Sequence, residues 1–265
     1  MPGGPGAWAS ELVQRRDLLY MVTWREIKVK YKQSVMGFLW AILMPIVIVG
    51  AGLTVKFAFA SLSGTAVSHD DLVLVTVKAV PWAFFVSALR FGSNSLISNA
   101  NLVTKIYMPR EIFPIAAVLS QLVDLSVATG VLVVVLAVLR VPVHATMLWL
   151  PLLMLLLIMM TAALAILLSA AALFFRDVKY IVEVILTFAI FFTPVFYEAS
   201  AMGKWADVLM LNPVAPLLEG LGAAVTGRAL PGAGWLGYST LVATIGLMLA
   251  VLVFKKLEPY FAESV

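Results

Sequence analysis

The chain contains no cysteine and only two histidines in 265 residues. Disulfides, thiolate metal sites and a cysteine nucleophile are thereby excluded. His69 and His144, far apart and both in predicted outer loops, do not make a zinc or haem site. Charge is also scarce: Asp, Glu, Lys and Arg make up 12% of the residues against 63% hydrophobic, with a mean hydropathy of +1.04. A soluble domain carries about 25% charged residues, so this composition specifies an integral membrane protein. A phosphate loop is missing as well. No G-x-x-x-x-G-K-[ST] run occurs, the one Gly-Lys pair being Gly203-Lys204 ahead of Trp205. No carboxylates stand paired at a helical spacing suited to acid-base catalysis. The chain reads as non-catalytic, and any nucleotide energy must enter through a partner.

What is present is a series of apolar runs. All-α architecture with six transmembrane helices is expected, at about 37–60, 80–97, 112–139, 147–175, 180–196 and 236–254. Each is near or above the roughly 20 residues that cross a bilayer as helix, the fifth being the shortest. Pro45 is expected to kink the first, and Lys56 to snorkel from its outer end. The second is taken from about Val80 because Lys78 and Pro81 interrupt the apolar run, which leaves the preceding residues in the outer interface.

The formal charge of +4 and the pI near 9.3 do not indicate nucleic acid. The basic residues flank the spans instead: Arg15, Arg16, Arg25, Lys28, Lys30 and Lys32 before the first, Lys105 and Arg110 between the second and third, Arg176 and Lys179 between the fourth and fifth, Lys255 and Lys256 after the sixth. By the positive-inside rule these segments and both termini are cytoplasmic. Residues 1–16 have no apolar core, so no cleavable leader is expected and the first span serves as anchor.

Three segments between or before spans carry information. Ser98 to Pro114, SNANLVTKIYMPREIFP, is a mildly basic hairpin and the part best placed to be pushed from the cytoplasm. Glu11 to Ser34 is helical but too charged to span. Val13, Tyr20, Trp24, Ile27 and Tyr31 share one face between basic flanks, as in an interfacial helix or an ordinary positive flank with no further role. Phe196 to Trp235 holds two apolar pieces too short to cross, Trp205–Leu211 and Val214–Val225, the second opened by Asn212 as N-cap and Pro213 as first helical residue. Low charge favours two short re-entrant helices over a loose covering loop.

Inside the spans, Arg90 and Asp124 reach similar depth on antiparallel neighbours at about 1.5 Å per residue and are expected to pair. The pair either fixes the hairpin or leaves Arg90 facing a wet cavity where it meets an anionic substrate. Phe38, Trp40, Phe84, Phe85, Phe191 and Phe192 lie among aromatic residues that form interfacial belts or line a conduit; rings suit the flat C–H faces of a sugar polymer.

The stretches WREIKVKYKQSVMGFLWAILMPI, PWAFFVSALRFGSNSLISNANLVTKIYMPREIFPIAAVLSQLVD, FFRDVKYIVEV, TPVFYE, LNPVAPLLE and FKKLEPYFAE occur in order along residues 12–263. In them the chain resembles the type-2 permease subunits of ATP-binding-cassette exporters for lipid-linked polysaccharide of the O-antigen, capsule or teichoic-acid type. The resemblance implies a homodimer in a bacterial inner membrane, bound to two copies of a separate ATPase that holds ATP and magnesium, with the conduit along the dimer axis. It further implies that Leu102, Val103, Lys105, Tyr107, Met108, Arg110 and Glu111 form the helix docking into the ATPase, with Arg176 and Asp177 as a second contact. Arg15, Arg16 and Arg25 would sit by the lipid head's access route, and Pro194, Phe196, Tyr197, Asn212 and Pro213 would belong to the outer gate. The expected organisation is a cytoplasmic tail and interfacial helix (1–34), a permease domain (35–258) and a cytoplasmic tail (259–265). One departure is Lys78, where relatives are usually apolar with a glycine. Competing readings are another cargo, such as a drug or a different lipid, a stand-alone proton-coupled carrier, and a lipid glycosyltransferase.

Overall fold

The computed structural model describes residues 14–32, 39–63, 67–105 and 108–261. In chain order the helices are α1 (Arg16–Lys32), α2 (Leu39–Ser63), α3 (His69–Ser98), α4 (Ala100–Lys105), α5 (Ile112–Val138), α6 (Leu150–Phe174), α7 (Val178–Ala189), α8 (Ala206–Met210), α9 (Val214–Thr226) and α10 (Ala233–Leu257). Short 3-10 turns precede α6 and α8 and follow α10. Among the described residues four helices are long and apolar enough to cross a membrane: α3, α5, α6 with its preceding turn, and α10 with its following turn. The apolar stretch of α2 from Ile42 to Ala58 is shorter, although the helix itself runs for 25 residues and continues through Pro45.

The bundle is built around α3, which packs most extensively on α5 and α6 and also meets α2, α7 and α9. Its start is set by a capping box: the Asp71 amide donates to Ser68 Oγ at 3.1 Å while the Ser68 amide donates to Asp71 Oδ2 at 3.0 Å. This satisfies two otherwise orphaned donors and starts the helix eleven residues earlier than the apolar run suggested. Lys78 therefore does not shorten the span. Its side chain is fully buried and hydrogen-bonded to Glu219 of α9, so the charge has a partner in the protein and needs no interface. The helix also passes through Pro81.

The fifth apolar run behaves differently. Its helix, α7, lasts 12 residues, about 18 Å at 1.5 Å per residue. Beyond Ala189 the Phe191 and Phe192 amides bond three residues back, and Pro194, which has no N–H, ends the regular ladder. Residues 190–197 form turns instead of the last two turns of a span.

Because lipid is as apolar as leucine, close approach rather than water exclusion holds such helices together. A Cβ on Gly92 of α3 would lie 2.6 Å from Ala165 Cβ of α6. Small residues of α6 are buried on two sides, Ala165 and Ser169 on one and Ala163 and Ala170 on the other. Gly92→Ala should therefore lower the thermal midpoint of the purified protein in detergent, by an overpacking cost of about 1–3 kcal/mol. Gly50→Ala, with nothing within 4 Å of its Cβ, should leave it unchanged or raise it.

Candidate functional site

A cavity of about 580 Å³ opens between α1, α2, α3, α5 and α7, within the roughly 300–1,000 Å³ range of ligand pockets. Trp40, Trp82, Phe84 and Phe91 supply rings to its wall, and Lys30, Arg90, Gln121 and Asp124 supply polar groups. Of the expected path residues, Trp40, Phe84 and Arg90 thus share one space. Phe85 does not: it is buried in the core, its ring stacked on Trp82 at 5.6 Å. Phe191 and Phe192 are exposed on the turn after α7, outside the cavity. Phe38 lies outside the described residues.

Arg90 and Asp124 both line the cavity but do not pair with each other. Arg90 forks onto Glu183 of α7, Nε to Oε2 at 2.8 Å and a terminal nitrogen to Oε1 at 2.6 Å. This planar two-bond geometry favours arginine over lysine. Asp124 accepts from the Lys30 ammonium and the Tyr31 hydroxyl of α1, and Lys30 also donates to Gln121 Oε1 at 3.0 Å. Depth does not give azimuth, and each helix turns its charge to a different neighbour. Burial, and after it the bond to Asp124 and that carboxylate's charge, push the Tyr31 phenol above its ordinary range, so it stays a donor. The cavity wall therefore carries two cations and one carboxylate; Lys30 is answered by Asp124 in the wall and Arg90 by Glu183 of α7.

The N-terminal helix α1 lies along α5 with Val22 buried and Leu18 and Leu19 packed beside it. Tyr20 and Trp24, stacked at 6.3 Å, point outward over a groove shared with Arg25 and Lys28. Arg16 is exposed and Arg15 half-buried. Arg25 is not a free cation: the same nitrogen donates to Glu26 and to Asn99 at the end of α3.

At the hairpin end, Val103, Met108 and Glu111 are buried and Leu102 half-buried, so their side chains do not form an outward docking face. Val103 and Met108 join an apolar cluster with Val22, Phe113, Phe254 and Phe261, and Glu111 faces Lys255 at 3.6 Å. Arg110 is held by the C-terminal turn, its guanidinium donating to the Glu258 carbonyl at 2.5 Å and standing 5.8 Å over the Phe261 ring. The C-terminal turn as a hairpin brace was not read from sequence; the FKKLEPYFAE stretch was the available signal. Tyr107 lies outside the described residues, and Lys105 is described by its backbone alone. Among the described side chains named for ATPase contact Arg176 and Asp177 are exposed, and Asn101 is exposed as well.

At the opposite end, Asn212 precedes α9, its Oδ1 accepting from the Val214 amide at 3.1 Å and its amide donating to Thr193 at 2.9 Å. Pro213, expected as the first helical residue, holds the N-cap position in place of Asn212, and the helix opens at Val214. At 13 residues α9 is too short to cross, and its buried residues pack on α3 and α6. Pro194 is buried, Phe196 presses on Gly52 of α2, and the Tyr197 hydroxyl donates to the Phe191 carbonyl at 2.9 Å.

A helical bundle with long apolar helices, a half-length buried helix at one end and a ring-lined internal cavity has the build of a multi-pass membrane protein. Residues 17–225 match the ABC-2 type transporter family, and the chain belongs to that family. It is 27% identical over 254 residues to an O-antigen export system permease protein RfbA of Klebsiella pneumoniae, covering 93% of this chain and 94% of that one. It is 28% identical over 263 residues to the protein of the same name from Myxococcus xanthus, covering 96% and 98%.

A double-mutant cycle on thermal stability checks the pairing. Lys30→Met with Asp124→Leu should show a coupling of about 0.5–3 kcal/mol, while Arg90→Met with Asp124→Leu should be additive within about 0.5 kcal/mol.

Proposed function

We propose that this chain is the permease of an ATP-binding-cassette exporter that moves polyprenyl-diphosphate-linked polysaccharide of the O-antigen class out of the cytoplasm. The observation that carries the reading is end-to-end likeness to permeases named for O-antigen export. The cavity suits that cargo. Its charges are compensated within the chain, so it offers no unpaired cation or acid to a charged drug, while its rings and amide suit a hydroxyl-rich polymer.

In this reading both termini and the hairpin face the cytoplasm of a bacterial inner membrane, α2, α3, α5, α6, the α7 segment and α10 make the six crossings, and two copies frame the conduit. Residues 1–34 and 259–265 flank the permease domain. Two ATPase subunits bind ATP and magnesium, and this chain transmits their closure. They seat on the outer side of the hairpin at Asn101, with the inward-turned Val103, Met108 and Glu111 and the C-terminal turn bracing it from behind, and on Arg176 and Asp177. The diphosphate head arrives beside Arg15 and Arg16, whose charge attracts an anion at the headgroup layer. The glycan passes Trp40, Phe84, Phe91 and Arg90. The segment from Pro194 through Asn212, Pro213 and α9 gates the outer side.

Deleting this chain from its host should abolish surface O-antigen while lipid-linked polysaccharide accumulates inside the cell; unchanged surface polysaccharide refutes the reading. Cysteines placed at Asn101 and Arg176 should each cross-link to the ATPase, and Arg176→Glu should lower export more than it lowers the amount of permease in the membrane.

A further inference from the structure

We propose that Lys78 and Glu219 tie α3 and α9 into one moving body, so that a push at the hairpin end of α3 is delivered to the gate segment at the other end. The inference rests on the functional reading above, because it needs an ATPase acting on the hairpin.

Lys78 is among the largest fully buried side chains of the molecule. Its ammonium donates to the Tyr197 carbonyl at 2.6 Å and to Glu219 Oε1 at 3.2 Å, and the same Glu219 oxygen accepts the Ala199 amide at 3.0 Å. One cation thus holds both the gate turn and the half-length helix. The lysine stem lies over Gly222, where a Cβ would stand 3.5 Å from its Cγ and Cδ and 2.8 Å from Leu74 Cδ2. Gly222 is three residues after Glu219 and so on the same helical face. A second tie lies nearby: Arg228 bridges Asp70 of α3 at 3.2 Å and Glu198 of the gate turn at 2.7 Å.

Stability alone does not account for the pair, since well-packed apolar residues of similar volume usually do as well as a buried ion pair. What the pair adds is register. An ammonium shared between one carboxylate and one carbonyl is satisfied in a single arrangement, whereas an apolar contact permits sliding. α3 is an unbroken 30-residue helix from Lys78's end to the hairpin, so its displacement is carried along its length. The opposite arrangement is a flap, with α9 opening away from a stationary α3.

The two differ under cross-linking. The chain has no cysteine, so Leu74→Cys with Gly222→Cys introduces one defined pair. In host cells carrying this variant as the sole copy, the oxidised cross-link should leave surface polysaccharide within about twofold of the reduced form. Export lost on oxidation and regained with reductant overturns the tie. Lys78→Met with Glu219→Leu leaves no lone buried charge. It should lower surface polysaccharide about tenfold while ATP hydrolysis by the purified permease–ATPase complex stays within about twofold. Normal export by this variant also overturns the tie. If the apolar variant fails to accumulate, the cross-link decides. The wild-type chain separates the two levels: a wild type without ATPase-dependent export refutes the functional reading and the tie with it, whereas a wild type that exports beside a cross-linked form that does not refutes the tie alone.

Discussion

An ionised side chain within a bilayer costs about 2.5–3.5 kcal/mol on the insertion scale when it stands alone at a helix centre. The helices of this chain carry several ionised side chains, and each is answered from a different helix. Lys56 of α2 meets Asp71 of α3 at 2.8 Å, Lys78 of α3 meets Glu219 of α9, Arg90 of α3 meets Glu183 of α7, and Lys30 of α1 meets Asp124 of α5. Charge compensation and helix arrangement are therefore one problem with one solution. Three of the four pairs involve α3, which is also the helix the bundle packs around.

The two ends of α3 are built from different materials. At the hairpin end, rings and aliphatic chains from α1, α5, α10 and the C-terminal turn pack around Phe113 and Phe261, which makes a firm seat behind a short helix. At the opposite end the contacts are polar and specific, running through Lys78, Asp70, Asp71 and the capping box. In the proposed mechanism the part that is pushed is backed by close packing, and the part that keeps register is held by hydrogen bonds. Between them the cavity keeps its charges paired and its rings accessible, which suits passage of an uncharged chain better than binding of an ion.

Much of this was readable in the residues. Helices α5, α6 and α10 end within about three residues of the third, fourth and sixth apolar runs, Asn212 bonds the first amide of its helix from one place before the cap, and Arg90 with Trp40 and Phe84 line one space. The failures have a common cause. Lys78 was read as an interruption because sequence shows a charge in an apolar run but not Glu219 some 141 residues away. Arg90 was matched to Asp124 because spacing reports depth and not direction around the helix. Val103, Met108 and Glu111 are expected on a docking face, yet their side chains turn inward, Val103 and Met108 into the apolar cluster and Glu111 toward Lys255, partners that lie far off in sequence. The break at Pro194 was hidden because the apolar run continues after the helix stops.

The account depends on a bundle that moves cargo only when another protein supplies the work. The direct measurement is transfer of polyprenyl-diphosphate-linked O-antigen across proteoliposomes holding this chain alone, or this chain with its ATPase, each with and without ATP and magnesium. Transfer that needs both the ATPase and the nucleotide is the expected result. Transfer by this chain alone, at a rate indifferent to ATP, would contradict the account.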